Sequence, residues 1–475
     1  MPAFVTRRER IFDGAQLERI ESAAVRILET VGIAVPDEGI RDRLRASGFR
    51  IRGERVRILE HRTTAFLDAE RTRNGNRFSE GPLPADPTDH RITVSVSPYP
   101  QHVHDLETDR IVPFDTDRLI EAAKLVDALS DRGVTSGPPG CPADAPPPLQ
   151  PVVQYWVSAT YCRHGQRPVD AKSAESLPYV MEMAEALGHP VQRLPVYVFS
   201  PLTLSGESLR CALAFRERLS GVHVSDMASM GCSAPIHPGD AFALCAAEVI
   251  GSAILVQALA DGLPVSWSIR LCPVDLSRLT MVLGSPEDFL LQLANAEINA
   301  FFHGTQWSPA AGAIHTSAKL PGAQACAEKS SVMTAGALLG ARRFGVAGTL
   351  SLDEVFSPEQ LLYDVEIKDS VQRLVKGLDG DCDAERCLRD VAEGVMRRGF
   401  AGVDSTLDAY REVYWHPALF ERRFLSGWQG AGEKTIRQKA QAMVWELAGR
   451  HDYALEGHAQ REVDRILTAA RRAFA

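Results

Sequence analysis

Short β-type runs recur along the chain, and a helical segment follows each of them. They fall at residues 92–97, 134–137, 168–170, 196–200, 222–226, 265–269, 300–303 and 344–348. Their spacing is roughly 25 to 45 residues, the size of a βα unit. Strands alternating with helices pair in parallel, because each helix carries the chain back across the sheet. The repetition predicts an α/β protein built as a (β/α)8 TIM barrel, rather than an open doubly wound sheet.

The helix starts are marked. Ser285-Pro286-Glu287-Asp288 and Ser357-Pro358-Glu359-Gln360 each place a capping serine before a first-turn proline. A side chain at the third helical position can reach back in both. Ser176 precedes Pro178 in the same way, and Gly188 ends that helix. Residues 240–260 are almost wholly apolar, with Gly262 just beyond. A helix apolar all round is buried, here expected against another subunit.

Flanking segments differ from this pattern. Residues 1–90 read as an N-terminal α/β cap, with helical spacing over 17–31, a short helix over 39–46 and strand alternation over 49–59. A proline- and aspartate-rich stretch at 81–90 marks the boundary. The barrel is expected over 91–400. Beyond Lys376 the chain turns charged and helical, and 401–475 reads as a C-terminal helical extension.

Charge and cysteine usage narrow the function. Lys and Arg number 52 against 61 Asp and Glu, a net charge of −9. That argues against a general nucleic-acid or anionic-membrane binder. The nine cysteines are an odd number and form no Cys-x-x-Cys. Together with an N-terminus that lacks an apolar signal core, this fits a reduced, cytoplasmic protein. No Walker loop, G-x-G-x-x-G or G-x-S-x-G is present, which argues against nucleotide-dependent and serine-hydrolase chemistry.

In a parallel barrel the reacting groups sit at the C-terminal strand ends. Read this way, those positions carry Tyr99, Gly137, Asp170, Phe199 with Ser200, Asp226, Trp267 with Arg270, and His303 to Trp307, including Gln306. Tyr99, Phe199, Trp267 and Trp307 can form an aromatic cage, in which a desolvated ring attracts a quaternary ammonium by about 2 kcal/mol or more. The same rings can instead fill the barrel mouth. Arg270 can hold a carboxylate bidentately, or form a surface ion pair.

The loop AAGAIHTSAKLPGAQACAEK, residues 310–329, is expected to floor the site. It carries His315, Thr316, Ser317 and Lys319, then a turn at Pro321 and a helix opening around Gln324. Lys319 can act as base, Schiff-base lysine or anion clamp, or be solvated. Glu366, beside Asp364, lies in the helix capped by Ser357; it offers a carboxylate or a wet face. His102 with His104, and His303 and His315 with Cys272 and Cys326, have no spacing diagnostic of zinc. No bound metal is expected.

These segments carry a resemblance. Residues 24–38 (AVRILETVGIAVPDE), 54–58, 104–129, 199–209 (FSPLTLSGESL), 318–329 (AKLPGAQACAEK), 361–367 and 406–423 occur in an order similar to that of the trimethylamine methyltransferase (MttB) family. Together they span about 400 residues. The resemblance implies a (β/α)8 barrel, often a homo-oligomer. It also implies methyl transfer from a substituted amine to the cobalt of a corrinoid carried by a separate protein. The founding enzymes carry pyrrolysine in the loop after the seventh strand, and Lys319 aligns at or beside that position. Members with an ordinary residue there act on quaternary amines such as glycine betaine.

By this resemblance Lys319, His315 and Glu366 are the catalytic candidates. Tyr99, Phe199, Trp267, Arg270, His303, Gln306, Trp307 and Gln324 are the substrate-binding ones. The chain departs from the family at Ser317 and Gly322, where aspartates are usual. It also departs at Gly399-Phe400-Ala401-Gly402, at Ser405 and at His164. Alternatives are a methyltransferase with a zinc-activated thiol or folate as acceptor, and a non-catalytic barrel that binds a quaternary amine.

Overall fold

Side-chain parity along three neighbouring strands sets the two faces of the sheet. The computed structural model describes residues 6, 10–83, 86, 88–167, 173–308 and 312–474. In it Arg193–Phe199, Gly221–Ser225 and Val265–Ser268 pair in parallel, in sequence order. The register puts Val196, Val224 and Trp267 level on one face, with Leu194 and Val222 beside them. All five are buried. The opposite face carries Pro195, His223 and Ser266 at one level, and Tyr197, Ser225 and Ser268 at the next. Successive strand residues point to opposite sides, so apolar residues meet the helices and polar ones line the concave side.

The sheet curls back on itself. The last strand, Arg343–Ala347, pairs in parallel with the first, Thr93–Val96. Val94 bridges to Val134, and Ala313 bridges to Gly345, both in parallel. Among the described residues no pairing joins Val134 to Arg193–Phe199, or Val265–Ser268 to Ala313. The expected run at 168–170 lies outside the described residues.

The expected seventh strand is corrected. Residues 300–303 are the last turn of the Pro286–His303 helix, which starts where Ser285 Oγ accepts the Asp288 N–H at 3.2 Å. It ends at Gly304, whose φ is 68°. A short apolar run looks the same in a buried helix and in a strand, and this run continued an apolar helix face. The strand position passes to residues 312–314, where the Gly345 N–H donates to Gly312 O at 2.7 Å and the Ile314 N–H donates to Gly345 O at 3.2 Å.

That reassignment changes what the stretch packs against. The helix runs antiparallel to the Val265–Ser268 strand. Asn295 hydrogen-bonds the backbone of Leu271, Asn299 that of Ile269, and His303 that of Trp267. His303 therefore lies further back along the strand than Asn299 and Asn295.

The long apolar helix, Pro238–Leu259, is also corrected. It is buried within its own chain rather than against another subunit: the Gly14–Thr30 helix packs on it. A Cβ at Gly251 would come within 2.4 Å of Leu28 and 3.0 Å of Ile33, so glycine permits the close approach. The helix is long and apolar enough to cross a membrane, but 83% of its most apolar window is buried in the protein. The N-terminal region also joins the sheet directly, through the parallel pairing of Ala34 with Thr203. At the other terminus the Gly457–Ala473 helix packs on Leu177–Ala186 and Gln150–Tyr161. The Ser357 cap forms as expected, with the Gln360 N–H donating to its Oγ at 3.2 Å. Ser176 caps nothing with its side chain.

Candidate functional site

At the C-terminal ends of the strands the concave face is open. Tyr197 and Phe199, on one strand and of one parity, are 40% and 55% exposed, far more than rings packed in a core. Arg270, two residues past Ser268, shares the parity of that face and is exposed. Among the described residues no carboxylate pairs with its guanidinium. Its backbone N–H donates to Asp226 Oδ1 at 2.7 Å, and its carbonyl accepts from the Ala228 N–H at 3.2 Å.

The loop after the seventh strand position forms the next part of this rim. His315 is buried, and its Nδ1–H donates to Leu352 O at 3.4 Å. Burial, then the neighbouring Arg270 charge, push its pKa down to about 4, so the ring is neutral at pH 7. Glu328, one turn into the Ala323–Leu338 helix, holds the loop. It accepts from the Thr316 hydroxyl, and from the Ser317 N–H at 3.0 Å. The Gln324 amide donates to the other oxygen of Glu328 at 2.8 Å, so Gln324 acts on the loop through Glu328. Lys319 is exposed, and its Nζ donates to Ser351 Oγ at 2.8 Å; Ser351 in turn donates to Glu354 at 2.5 Å. Ser351 and Glu354 share a cleft of about 490 Å³ with Tyr99 and Gln101. Tyr99, Phe199, Arg270, His315, Lys319 and Gln324 thus belong to the C-terminal rim.

Four of the expected binding residues lie elsewhere. Trp267 is 2% exposed and stacks on His303, with ring centroids 3.9 Å apart. It faces the helix side because its parity is opposite to that of Ser266 and Ser268. His303 Nδ1 lies 3.0 Å from Glu70, and its Nε2–H donates to Trp267 O at 3.0 Å. Gln306 accepts from Arg77 at 2.9 Å, and the carbonyl of the buried Trp307 accepts from the Leu83 N–H at 2.8 Å. All four contact the N-terminal region rather than the rim. The four-ring cage is therefore not assembled: Tyr99 and Phe199 stay at the rim, and Tyr197 is the ring that parity adds.

Glu366 is also apart from the rim. It is fully buried and accepts backbone N–H groups from Ala418, Leu419 and Phe420 at 3.3, 2.8 and 3.0 Å. It anchors the C-terminal segment. Its neighbour Asp364 pairs with Lys329 at 2.7 Å and accepts the Gly348 N–H at 2.7 Å, which holds the loop that contacts His315. His104 is taken up by Asp109 at 2.8 Å. Among the described residues no three His, Cys, Asp or Glu side chains converge as metal ligands.

Residues 4–465 match the model of a family described as trimethylamine methyltransferase (MTTB). The chain belongs to this family. A trimethylamine methyltransferase MttB of Methanosarcina barkeri is 28% identical over 294 residues, 61% of this chain and 58% of that protein. The chain thus spans somewhat over half the length of the MttB relatives it matches. A glycine betaine methyltransferase of Desulfitobacterium hafniense is 24% identical over 457 residues, 92% of this chain and 91% of that one. The solved monomethylamine methyltransferase (MtmB) of Methanosarcina barkeri aligns over 99% of this chain and 88% of its own, at 10% identity and TM-score 0.42. The family assignment agrees with the resemblance read from the sequence.

Three residues of the site escaped the sequence reading. Tyr197 and His223 were legible in the alternation of their strands. Glu328 was not, because its role needs the loop folded back over its helix.

Proposed function

We propose that this protein is a methyltransferase that takes a methyl group from a betaine-like quaternary amine and passes it to a corrinoid on a separate carrier protein. The observation that carries this reading is the occurrence of exposed rings, Phe199 and Tyr197, with a guanidinium, Arg270, that meets no carboxylate among the described residues, at one end of one concave face. A betaine has the complementary charges: a permanent cation for a π-face, and a carboxylate for a planar fork of donors. The near full-length likeness to a glycine betaine methyltransferase supports the same substrate class.

The chain's own residues bind and orient. Rings grip the trimethylammonium group, and Arg270 holds the far end, which leaves one methyl directed out of the face. Neutral His315 adds no repulsion to the cation. Lys319 is held at the rim by Ser351, where its charge can assist Arg270 toward the carboxylate. A fully alkylated nitrogen departs as a neutral amine, so the bound substrate needs no proton to leave. A corrinoid, when bound, supplies the nucleophile that accepts the methyl group. The exposed apolar side chains of Met227, Leu276, Leu279 and Leu320, in the loops that follow these strands, fit contact with an apolar macrocycle or its carrier. We also propose a closed (β/α)8 barrel, a cytoplasmic location and a homo-oligomer.

The test is methyl transfer from a panel of betaines to Co(I)-cobalamin, read by the change in cobalamin absorbance. Transfer from glycine betaine supports the reading. Binding of betaines without transfer to any acceptor favours a non-catalytic binder, and no response across the panel overturns the substrate class.

A further inference from the structure

Two buried carboxyl groups stand directly behind the site, on elements far apart in sequence. Glu248, in the Pro238–Leu259 helix, is fully buried. It accepts the Ser200 hydroxyl and the Leu202 N–H, each at 2.7 Å, so it holds the turn that follows Phe199. Asp226, at the end of the next strand, is 5% exposed and accepts the Arg270 N–H at 2.7 Å. One carboxyl therefore fixes the chain beside the aromatic group, and the other fixes the chain that carries the guanidinium.

The two carboxyls are close enough to influence each other within one buried cluster. Asp226 Oδ2 is buried and meets no hydrogen-bond partner among the described residues, with the Cys245 thiol beside the carboxyl. As a protonated carboxyl it has Glu248 as the facing acceptor. Cys245 from the same helix, and Cys272 with Arg270 from the neighbouring strand end, complete the surroundings; Asp288 lies beyond Cys272. Among the described residues no lysine or arginine pairs with either acid. Two uncompensated buried negative charges are costly, and one proton held between them removes one charge and satisfies the orphaned oxygen. Burial pushes both groups up, Glu248 to about 7 and Asp226 well above the carboxylate range.

We propose that Asp226 and Glu248 share one proton and act as positioning residues, locking Phe199 and Arg270 into one rigid clamp for a zwitterionic substrate. This rests on the betaine reading above. The proton lies on Asp226 Oδ2 and is donated to Glu248; no covalent bond changes. When it is lost at alkaline pH, two adjacent carboxylates repel, Phe199 and Arg270 lose their fixed spacing, and substrate affinity falls.

The experiment uses the full chain, with glycine betaine as the probe. Asp226→Asn keeps both contacts, because its carbonyl accepts the Arg270 N–H and its amide donates to Glu248. Asp226→Ala keeps neither. By calorimetry, Asp226→Asn should bind within about threefold of the natural protein and lose the alkaline decline, whereas Asp226→Ala should weaken binding by about tenfold or more. Infrared difference spectra of the unliganded protein at mildly alkaline pH, above the Glu248 pKa of about 7, should show a protonated-carboxyl band that Asp226→Asn removes. If Asp226→Ala does not fold, the Asn variant and the infrared band carry the test. Absence of that band, or loss of binding in the Asn variant equal to that in the Ala variant, would overturn the proposal. A natural protein that binds no glycine betaine but shows the band would overturn the substrate reading and leave the shared proton standing.

Discussion

Lys329 Nζ lies 2.7 Å from Asp364 Oδ2, and neither side chain is exposed to solvent. The pair joins the helix after the active loop to the helix after the last strand. Asp364 also accepts the Gly348 N–H and the Gln360 amide, and Lys329 donates to Val346 O. Removing one member leaves a buried charge with its partner gone. Lys329→Met should therefore destabilise the protein by about 3–5 kcal/mol in denaturant unfolding. A loss under about 1 kcal/mol would mean that the pair is not buried in solution.

Among the described residues Arg270 has no ion pair to give up, so its charge is offered to a ligand. Arg270→Ala should raise the glycine betaine KM by roughly 10- to 150-fold, the equivalent of charge-assisted hydrogen bonds. Binding of tetramethylammonium, which has no carboxylate, should change little. Equal losses for both ligands would remove Arg270 from the anion site.

Parity separates the two aromatic groups. Phe199→Ala should lower affinity for a quaternary ammonium by about 0.5–2 kcal/mol, as measured by calorimetry. Trp267→Phe should leave that affinity unchanged and lower the thermal midpoint instead, because the indole stacks on His303 on the opposite, helix-covered side of the sheet.

Glu248 gives a signed pH dependence. Its pKa rises from the ordinary 4.5 to about 7, with burial as the first cause. A raised carboxyl pKa means that the folded state holds the proton more tightly. Its contribution to stability is complete below 4.5 and is lost as pH rises through about 7. Thermal midpoints should therefore fall with pH across that window in the natural protein, and the slope should flatten in Glu248→Gln. An unchanged slope would show that Glu248 titrates normally.

Glu366 holds three backbone N–H groups of the C-terminal segment. Glu366→Ala should speed hydrogen exchange at residues 418–420 by about tenfold, the loss of one or two net hydrogen bonds. Arg270 and its surroundings should keep their exchange rates. Changes confined to the rim would restore Glu366 as a candidate for the chemistry.

Local signals were legible where one stretch of backbone sufficed. Ser285 and Ser357 announced their helices because a cap, a first-turn proline and a third-position side chain are all local. The concave face was equally available, since Tyr197 and Phe199 alternate with Val196 and Val198 along one strand. The four residues 300–303 misled because a short apolar run has no period of its own. Placing them on a strand moved Trp307, Gln306 and His303 to the rim.

The alternation of strand and helix and the acidic character of the chain were determined by sequence alone, through hydrophobic period and composition, and the family was legible in the order of its matching segments. Only the tertiary structure brought Glu248 to Asp226, Glu328 to Ser317 and Lys319 to Ser351. Those contacts join residues that share no local pattern. They exist because the sheet curls and the loops fold over it, and a buried carboxyl then takes whatever donor that closure places in reach.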